Sequence, residues 1–383
     1  MAARLKNCES RRGAVAPFMG EAMRKKALIL AMLVLATWPQ GPAAAEPTRL
    51  VTPLAYGTHL PGLGTSAKQL ARLVKERSGG ALELDLKEPG DGTQPQEILD
   101  RVAGGSVDAG FATSSLWAAK LSAAPLFSGY PFGPDAQGYL DWFERGNGRA
   151  LYQEMYDHAG LKLHVMPCAF GGAEAGGWFA KEVKTPDDIK SLRMRIFGLG
   201  GRVMARLGAT TVLIPGSKLP TAFDKGEIDA AELYPPAVDE RQGLKDKVKL
   251  IYMPGWHQPE TVLELIVNKA RWNALSPQQR GLIEEACLAN LQATLDESAK
   301  LQAEALPNLA KEGVKIEPWP EPVLAAFRSA WTEIAKIEGE RDYFVRTVLD
   351  DLEKFREQPA TIPAPEPKAS AEPAGPAGTT ATR

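Results

Sequence analysis

A loose internal repeat constrains this chain more than any other feature. The first copy opens on the short strand Leu50-Val51-Thr52 and passes Gly62-Leu63-Gly64 into a helix bearing Leu70, Leu73 and Val74. That helix reaches Ser78-Gly79-Gly80, where glycine supplies a left-handed C-cap. An alternating strand from Leu82 to Leu86, the turn Pro89-Gly90 and a helix with Ile98, Leu99 and Val102 lead to Gly105-Ser106-Val107-Asp108-Ala109. The second copy has the same order: a strand from Leu192 to Ile196, Gly198-Leu199-Gly200, a short helix through Val203, Met204 and Leu207, and Gly208. The strand Thr211 to Ile214, Pro215-Gly216 and a further helix then lead to Gly226-Glu227-Ile228-Asp229-Ala230. Strands alternating with helices predict parallel sheets with helices on their faces, and two such units predict two similar α/β lobes facing each other. Ligands of open α/β sheets sit beyond the carboxyl ends of the strands, near helix N-termini. Thr113-Ser114-Ser115 and Glu232-Leu233-Tyr234 follow the two Asp-Ala strands, so both segments are expected to line the cleft between the lobes.

The ends of the chain set its compartment. Arg24-Lys25-Lys26, the apolar run Ala27 to Trp38 and the small residues Ala43-Ala44-Ala45 have the form of a secretory signal, so residues 1–45 read as an export leader. The apolar run is shorter than the ~20 residues a spanning helix needs. From Pro359 onward the chain is almost wholly Pro, Ala, Glu, Gly and Thr, which predicts a disordered tail over 358–383. With 45 basic and 47 acidic residues, nothing points to nucleic acid or an anionic membrane surface. Cys8 leaves with the leader, and Cys168 and Cys287 do not make a disulfide framework. One bridge between them is open; two separately buried thiols are the expectation.

Beyond Leu275 helix dominates. Ser276-Pro277 is an N-cap and N1 pair with Gln279 at the capping-box position, opening a helix expected to stop before Pro307. A last helix from Pro322 to Phe355, kinked or broken near Gly339, carries Leu324, Phe327, Trp331, Ile334 and Ile337 on one side. Such a face packs back on a lobe or pairs with a second protomer. Catalytic signatures are missing: the four histidines show no metal-ligand spacing, and there is no G-x-S-x-G elbow or CxxC. Gly198-Leu199-Gly200 lacks the third glycine of a dinucleotide fingerprint, because position 203 is Val.

Arg195 is the leading candidate for ligand contact. In Leu192-Arg193-Met194-Arg195-Ile196 apolar residues alternate with arginines, giving one buried and one polar face, and the glycines that follow open a helix whose free amides favour an anion. An arginine there can grip a carboxylate through two parallel hydrogen bonds. Arg193 is the weaker candidate.

Gly176-Gly177-Trp178-Phe179, the stretch from Thr185-Pro186-Asp187-Asp188 to Arg195, Gly226 to Glu232, Pro254-Gly255-Trp256-His257 and Asn268-Lys269 together resemble the solute-binding proteins of TRAP transporters, the DctP family. The resemblance covers nearly the whole chain between leader and tail. It is nearest to the branch that binds 2-oxo acids and lactate with Na⁺ or Ca²⁺. It implies an α/β, periplasmic-binding-protein-like fold of two lobes around a ligand cleft, with a long C-terminal helix used in dimerisation. It also implies a periplasmic location and membrane permease subunits as partners. The family's carboxylate-binding arginine falls on Arg195. Its cation and substrate shell falls on Glu174, on Glu232 with Leu233, and on Gln258; acid and amide have exchanged at the outer two positions, so two carboxylates remain for a hard cation. Leu233 stands where the family has Trp, which points to an altered pocket in which Tyr234 compensates. Trp256 is assigned to the cleft with the substrate-binding residues, Trp178 to packing, and Tyr56, His59 and Trp117 to first-lobe loops facing the cleft. The implied domains are lobe I (46–163 and 236–274), lobe II (164–235 and 275–320) and the C-terminal helix (321–357). The function implied is capture of a small monocarboxylate for transport. A sensing subunit of the same fold, and a dicarboxylate or aromatic acid as ligand, stay open.

Overall fold

The aspartate of each repeat copy ties two neighbouring strands together. Asp108 Oδ2 accepts from Val51 N at 2.8 Å, and Asp229 Oδ2 accepts from Arg193 N at 3.0 Å. Each aspartate also pairs with an arginine, Arg271 in the first copy and Arg193 in the second. The repeated Asp-Ala element is therefore a structural clasp, and Arg193 belongs to it.

The computed structural model describes residues 46–357, so the export leader and the Pro/Ala-rich tail both lie outside the described residues. The first copy comprises β1 (Thr48–Pro53), α1 (Thr65–Arg77), β2 (Leu82–Lys87), α2 (Ile98–Ala103) and β3 (Ala109–Ala112). β1 pairs in parallel with β2, and a parallel bridge from Leu54 to Phe111 joins it to β3. Helices α3 (Ala136–Arg145) and α4 (Gly148–His158) lead to β4 (Leu163–Phe170), after which the chain crosses to lobe II and enters β5 (Gly177–Phe179). The second copy comprises β6 (Arg193–Arg195), α5 (Gly198–Arg206), β7 (Thr210–Val212), α6 (Leu219–Asp224) and β8 (Ala230–Ala231). Here too the opening strand lies parallel between the other two, with β6 flanked by β7 and β8.

Helix α7 (Pro236–Asp239) precedes β9 (Leu250–Met253); the chain then crosses back into β10 (Val262–Asn268), α8 (Lys269–Ala274) and the long helix α9 (Pro277–Lys311). Strand β11 (Lys315–Pro318) and helices α10 (Glu321–Arg341) and α11 (Tyr343–Glu357) complete the described chain. The sheets run β3-β10-β4 in lobe I and β11-β9-β5-β8-β6-β7 in lobe II. No helix among the described residues is long and apolar enough to cross a membrane.

Four expectations are corrected. β4, placed in lobe II by the boundary at 163/164, pairs antiparallel with β10 in the lobe I sheet, and β9, placed in lobe I, pairs with β5 and β11 in lobe II. The repeat marks where each copy begins, whereas the strands that close each sheet come from outside the copy. Helix α9 runs on through Pro307. Its start packs on lobe I through Ile283, Ala286 and Cys287, while Leu309 in its last turn is buried in the lobe II core. Cys168 of β4 and Cys287 of α9 form a disulfide, replacing the two free thiols expected. The terminal helix breaks at Asp342, whose Oδ1 accepts from Phe344 N at 2.8 Å and caps α11. α10 buries Val323, Phe327 and Ile334 in lobe II, and α11 buries Val345, Val348 and Leu352 in lobe I, so the pair straddles both lobes.

Candidate functional site

Two extended segments carry the chain between the lobes, and site residues sit directly on them. Gly171 N donates to Thr261 O at 2.7 Å, Glu174 N to Gln258 O at 3.2 Å, and Gly176 N to Tyr252 O at 2.8 Å, so the two crossings lie side by side as an antiparallel pair. Glu260 holds them from below, its Oε1 accepting from Gly172 N at 2.7 Å and Thr261 N at 2.9 Å. A Cβ on Gly255 would lie 2.2 Å from Glu174 O, so only glycine lets the strands approach this closely. The same logic applies at Gly200, where a Cβ would lie 2.7 Å from His257 Cβ. Gly200, in the first turn of α5, makes room for an imidazole.

Arg195, at the end of β6, is 8 % exposed. Its Nη1 donates to Glu232 O at 2.5 Å and Glu232 Oε2 at 3.1 Å, and Nε donates to Ile214 O at 3.3 Å. Nη2 makes no hydrogen bond among the described residues, so its N–H groups are left for a carboxylate. Glu174 is bracketed: His257 Nε2 lies 3.0 Å from its Oε2, and Gln258 Nε2 donates to its Oε1 at 2.8 Å. His257 Nε2 is also 3.9 Å from Glu232 Oε1. Tyr234 meets Tyr56 of lobe I edge-on, ring centres 6.2 Å apart, which closes one side. On the other side a cavity of about 20 Å³, room for about one water, lies between Ser115 and Gly129 of lobe I and Phe197, Gly200, His257 and Gln258 of lobe II.

Electrostatics couple these groups. Burial pushes the Glu174 carboxyl up, and the nearby Glu232 charge adds to that against the opposing pull of His257. Burial acts the same way on Glu232, but the hydrogen bond from His257 and the Arg195 charge outweigh it and hold it low. For His257 burial alone would lower the value; hydrogen bonds to both carboxylates outweigh it and hold the ring high. His257 and Arg195 thus favour the ionised form of Glu232, while burial and the Glu232 charge favour the protonated form of Glu174.

The carboxylate oxygens of Glu174 and Glu232 and a ring nitrogen of His257 all lie within 4.8 Å of one another. Two buried carboxylates suit a hard cation with oxygen ligands.

The structure thus brings together Arg195, Glu174, Glu232, Gln258 and Tyr234, with Tyr56 beside them. It does not bring in Trp256, whose ring stacks on Phe327 at 4.2 Å in the lobe II core. The apolar ring goes where it buries most surface. Leu233 has no side-chain donor, and its side chain packs in the core beside Gly216, so the departure from Trp does not place a new group in the cleft. Trp117 is buried in lobe I with Nε1 donating to Glu264 at 2.7 Å, and His59 is exposed. Of Thr113-Ser114-Ser115, Ser115 lines the cavity while Ser114 is buried and donates to Ala124 O at 2.8 Å. Trp178 is packing, as expected, with Nε1 donating to Asp239 at 2.8 Å. His257 is the residue that sequence reasoning missed. Its only signal was its place between Trp256 and Gln258, since its partner Glu174 lies 83 residues earlier.

The model of the bacterial extracellular solute-binding proteins of family 7, DctP, matches residues 60–341. The chain is 33 % identical over 298 residues to a monocarboxylate 2-oxoacid-binding periplasmic protein of Nostoc, covering 77 % of this chain and 81 % of that protein. It superposes with TM-score 0.76 and 30 % identity on a TRAP periplasmic solute-binding protein of Colwellia psychrerythraea, crystallised with calcium and pyruvate, covering 81 % of this chain and 94 % of the other. A second such protein, from Pseudoalteromonas atlantica with sodium and pyruvate, gives TM-score 0.75 at 30 % identity and the same two coverages, 81 % and 94 %. Two α/β lobes, their buried cleft and the matched segment agree: the chain belongs to family 7 of the bacterial extracellular solute-binding proteins, the DctP receptors of TRAP transporters.

Proposed function

We propose that this receptor captures a small monocarboxylate, a 2-oxo acid or a lactate-like acid, by lobe closure and delivers it unchanged to the membrane permease subunits. The observation that carries the reading is Arg195: a buried guanidinium in the cleft with Nη2 free of protein partners, beside two buried carboxylates. In this reading Nη2 of Arg195 donates to the acid's carboxylate, and Glu174, Glu232 and Gln258 hold the cation that accompanies it. Tyr234 and Tyr56 close over the pair from the two lobes. Because Glu174 and Gln258 stand on the crossing strands, holding the ligand also sets the hinge. The printed ligands of the Nostoc, Colwellia and Pseudoalteromonas relatives support a 2-oxo acid, and calcium or sodium beside it.

Size limits the affinity. A pyruvate-sized acid has about six non-hydrogen atoms, so ~1.5 kcal/mol per atom allows about 9 kcal/mol, a dissociation constant of a few tenths micromolar. Pairing of two receptors through α10 and α11 belongs to the same proposal: Ile337 and Tyr343 stay exposed at 38 % and 72 % where the two helices meet.

A thermal-shift screen of 2-oxo acids, lactate, dicarboxylates and aromatic acids, with and without Na⁺ and Ca²⁺, tests the reading. Stabilisation by 2-oxo acids, with the acid recovered unchanged, is the expected result. Stabilisation only by uncharged solutes such as polyols would contradict it.

A further inference from the structure

We propose that the proline-rich segment from Pro359 to Pro367 docks into an aromatic groove of its own chain, formed by α10, α11 and the loop that carries Tyr130 and Phe132. The inference goes beyond acid capture and does not depend on it. The groove has a volume of about 520 Å³ and is lined by Tyr130, Phe132, Trp331 and Leu349. The described chain ends at Glu357, which also lines the groove, so the segment that follows begins beside it. Ile337 and Tyr343, the residues offered for receptor pairing, do not line it.

The rings are held in place by their surroundings. Phe132 is the one non-glycine residue among those described with a positive φ, 56°. A bulky residue keeps that backbone only where its neighbours fix it. Here Phe132 N donates to Trp256 O at 2.8 Å, Arg356 Nη1 donates to Phe132 O at 3.2 Å, and the Arg328 guanidinium lies over the ring at 4.3 Å. The Tyr130 and Trp331 rings lie 5.7 Å apart with their planes tilted by 40°. Phe132 and Trp331 are both partly exposed. Grooves lined by aromatic rings recognise polyproline II segments, which are extended before they bind and so lose little entropy. Pro359, Pro363, Pro365 and Pro367 supply such a ligand. At about three residues per turn, Pro359, Ile362 and Pro365 would share one face. Ile362 is the only large apolar side chain in residues 358–383. That face is ~19 Å long at ~3.1 Å per residue, more than the ~10 Å that α11 covers from Leu349 to Arg356. Tyr130 packs with the lobe I core and α10 with the lobe II core, so the docked segment would join elements that straddle both lobes.

The test uses the exported chain with its tail intact and a nitroxide spin label on Ala364→Cys. Cys168 and Cys287 are bridged, so the label goes to that one site. Indole N–H signals of the tryptophans are then compared with the nitroxide oxidised and reduced. The expected result is that Trp331 loses most of its signal while Trp178, buried in the lobe II sheet, keeps its own. Adding Ile362→Ser to the labelled chain should restore Trp331. Both substitutions lie beyond the described fold, so neither disturbs its core. A Trp331 signal that ignores the label, or a loss that survives Ile362→Ser, overturns the proposal. Mixing spin-labelled chains with isotope-enriched, unlabelled ones separates the sources of the occupant. Trp331 intact in the mixture supports docking within one chain; an equal loss there shows that a second copy's tail fills the groove, which also overturns it.

Discussion

Glu264 and Arg195 are both buried charged residues, and the sequence announced only one of them. Arg195 alternates with apolar neighbours on a short strand before a glycine-opened helix, so its face and its setting were legible. Glu264 lies inside Val262-Leu263-Glu264-Leu265-Ile266, where a central strand of lobe I has no exposed face and both sides of the alternation are core. Trp117 Nε1 donates to Glu264 at 2.7 Å and the Tyr156 hydroxyl at 2.8 Å, yet burial outweighs these donors and pushes the carboxyl up to about 7. The folded state therefore holds a proton here that the unfolded chain loses above about 4.5. Stability from this group is greatest below that value and is lost as pH rises through 7, by on the order of 3 kcal/mol. Melting temperatures of wild type and Glu264→Gln from pH 5 to 8 should diverge steadily in the variant's favour; parallel curves would show that Glu264 does not titrate as described. His257 illustrates the opposite limit of legibility, because its meaning depends on a partner 83 residues away.

At the scale of elements, the punctuation was readable and the closure of the sheets was not. Gly-Leu-Gly and Asp-Ala recur in order, and both copies build the same parallel trio with the opening strand in the middle. The antiparallel strands that complete each sheet carry no repeat, so nothing in the pattern places β4 with β10 or β9 with β5. Gly255→Ala tests the crossing pair: the added methyl meets Glu174 O, so stability should fall by ~1–3 kcal/mol and acid affinity should fall with it. Unchanged binding in a folded variant would show that strand spacing does not set the site. The disulfide anchors α9 to β4 across 119 residues. Replacing both cysteines by alanine should lower unfolding free energy by ~2–5 kcal/mol in denaturant titrations, mainly by freeing the unfolded chain.

For the whole molecule, two lobes followed from the repeat without knowledge of any family, while the acid came from the resemblance and the comparisons. α10 and α11 add a restraint that periodicity did not reveal, because their break at Asp342 sends one helix to each lobe. The cavity left in the cleft is about 20 Å³, so this is a nearly closed arrangement, too small to admit an acid without lobe opening. Small-angle scattering of the acid-free protein should therefore give a larger radius of gyration than this structure, with saturating acid moving it towards the closed value. A radius that ignores the acid would argue against closure.

Calorimetric titration of wild type and Arg195→Ala with pyruvate, at equal metal-ion concentration, tests the central claim most directly. Loss of the guanidinium leaves a buried carboxylate unpaired, so the variant should bind ~3–5 kcal/mol more weakly, roughly a hundred- to several thousand-fold in dissociation constant. Wild-type affinity in a folded Arg195→Ala protein would contradict the assignment of Arg195 as the acid's anchor.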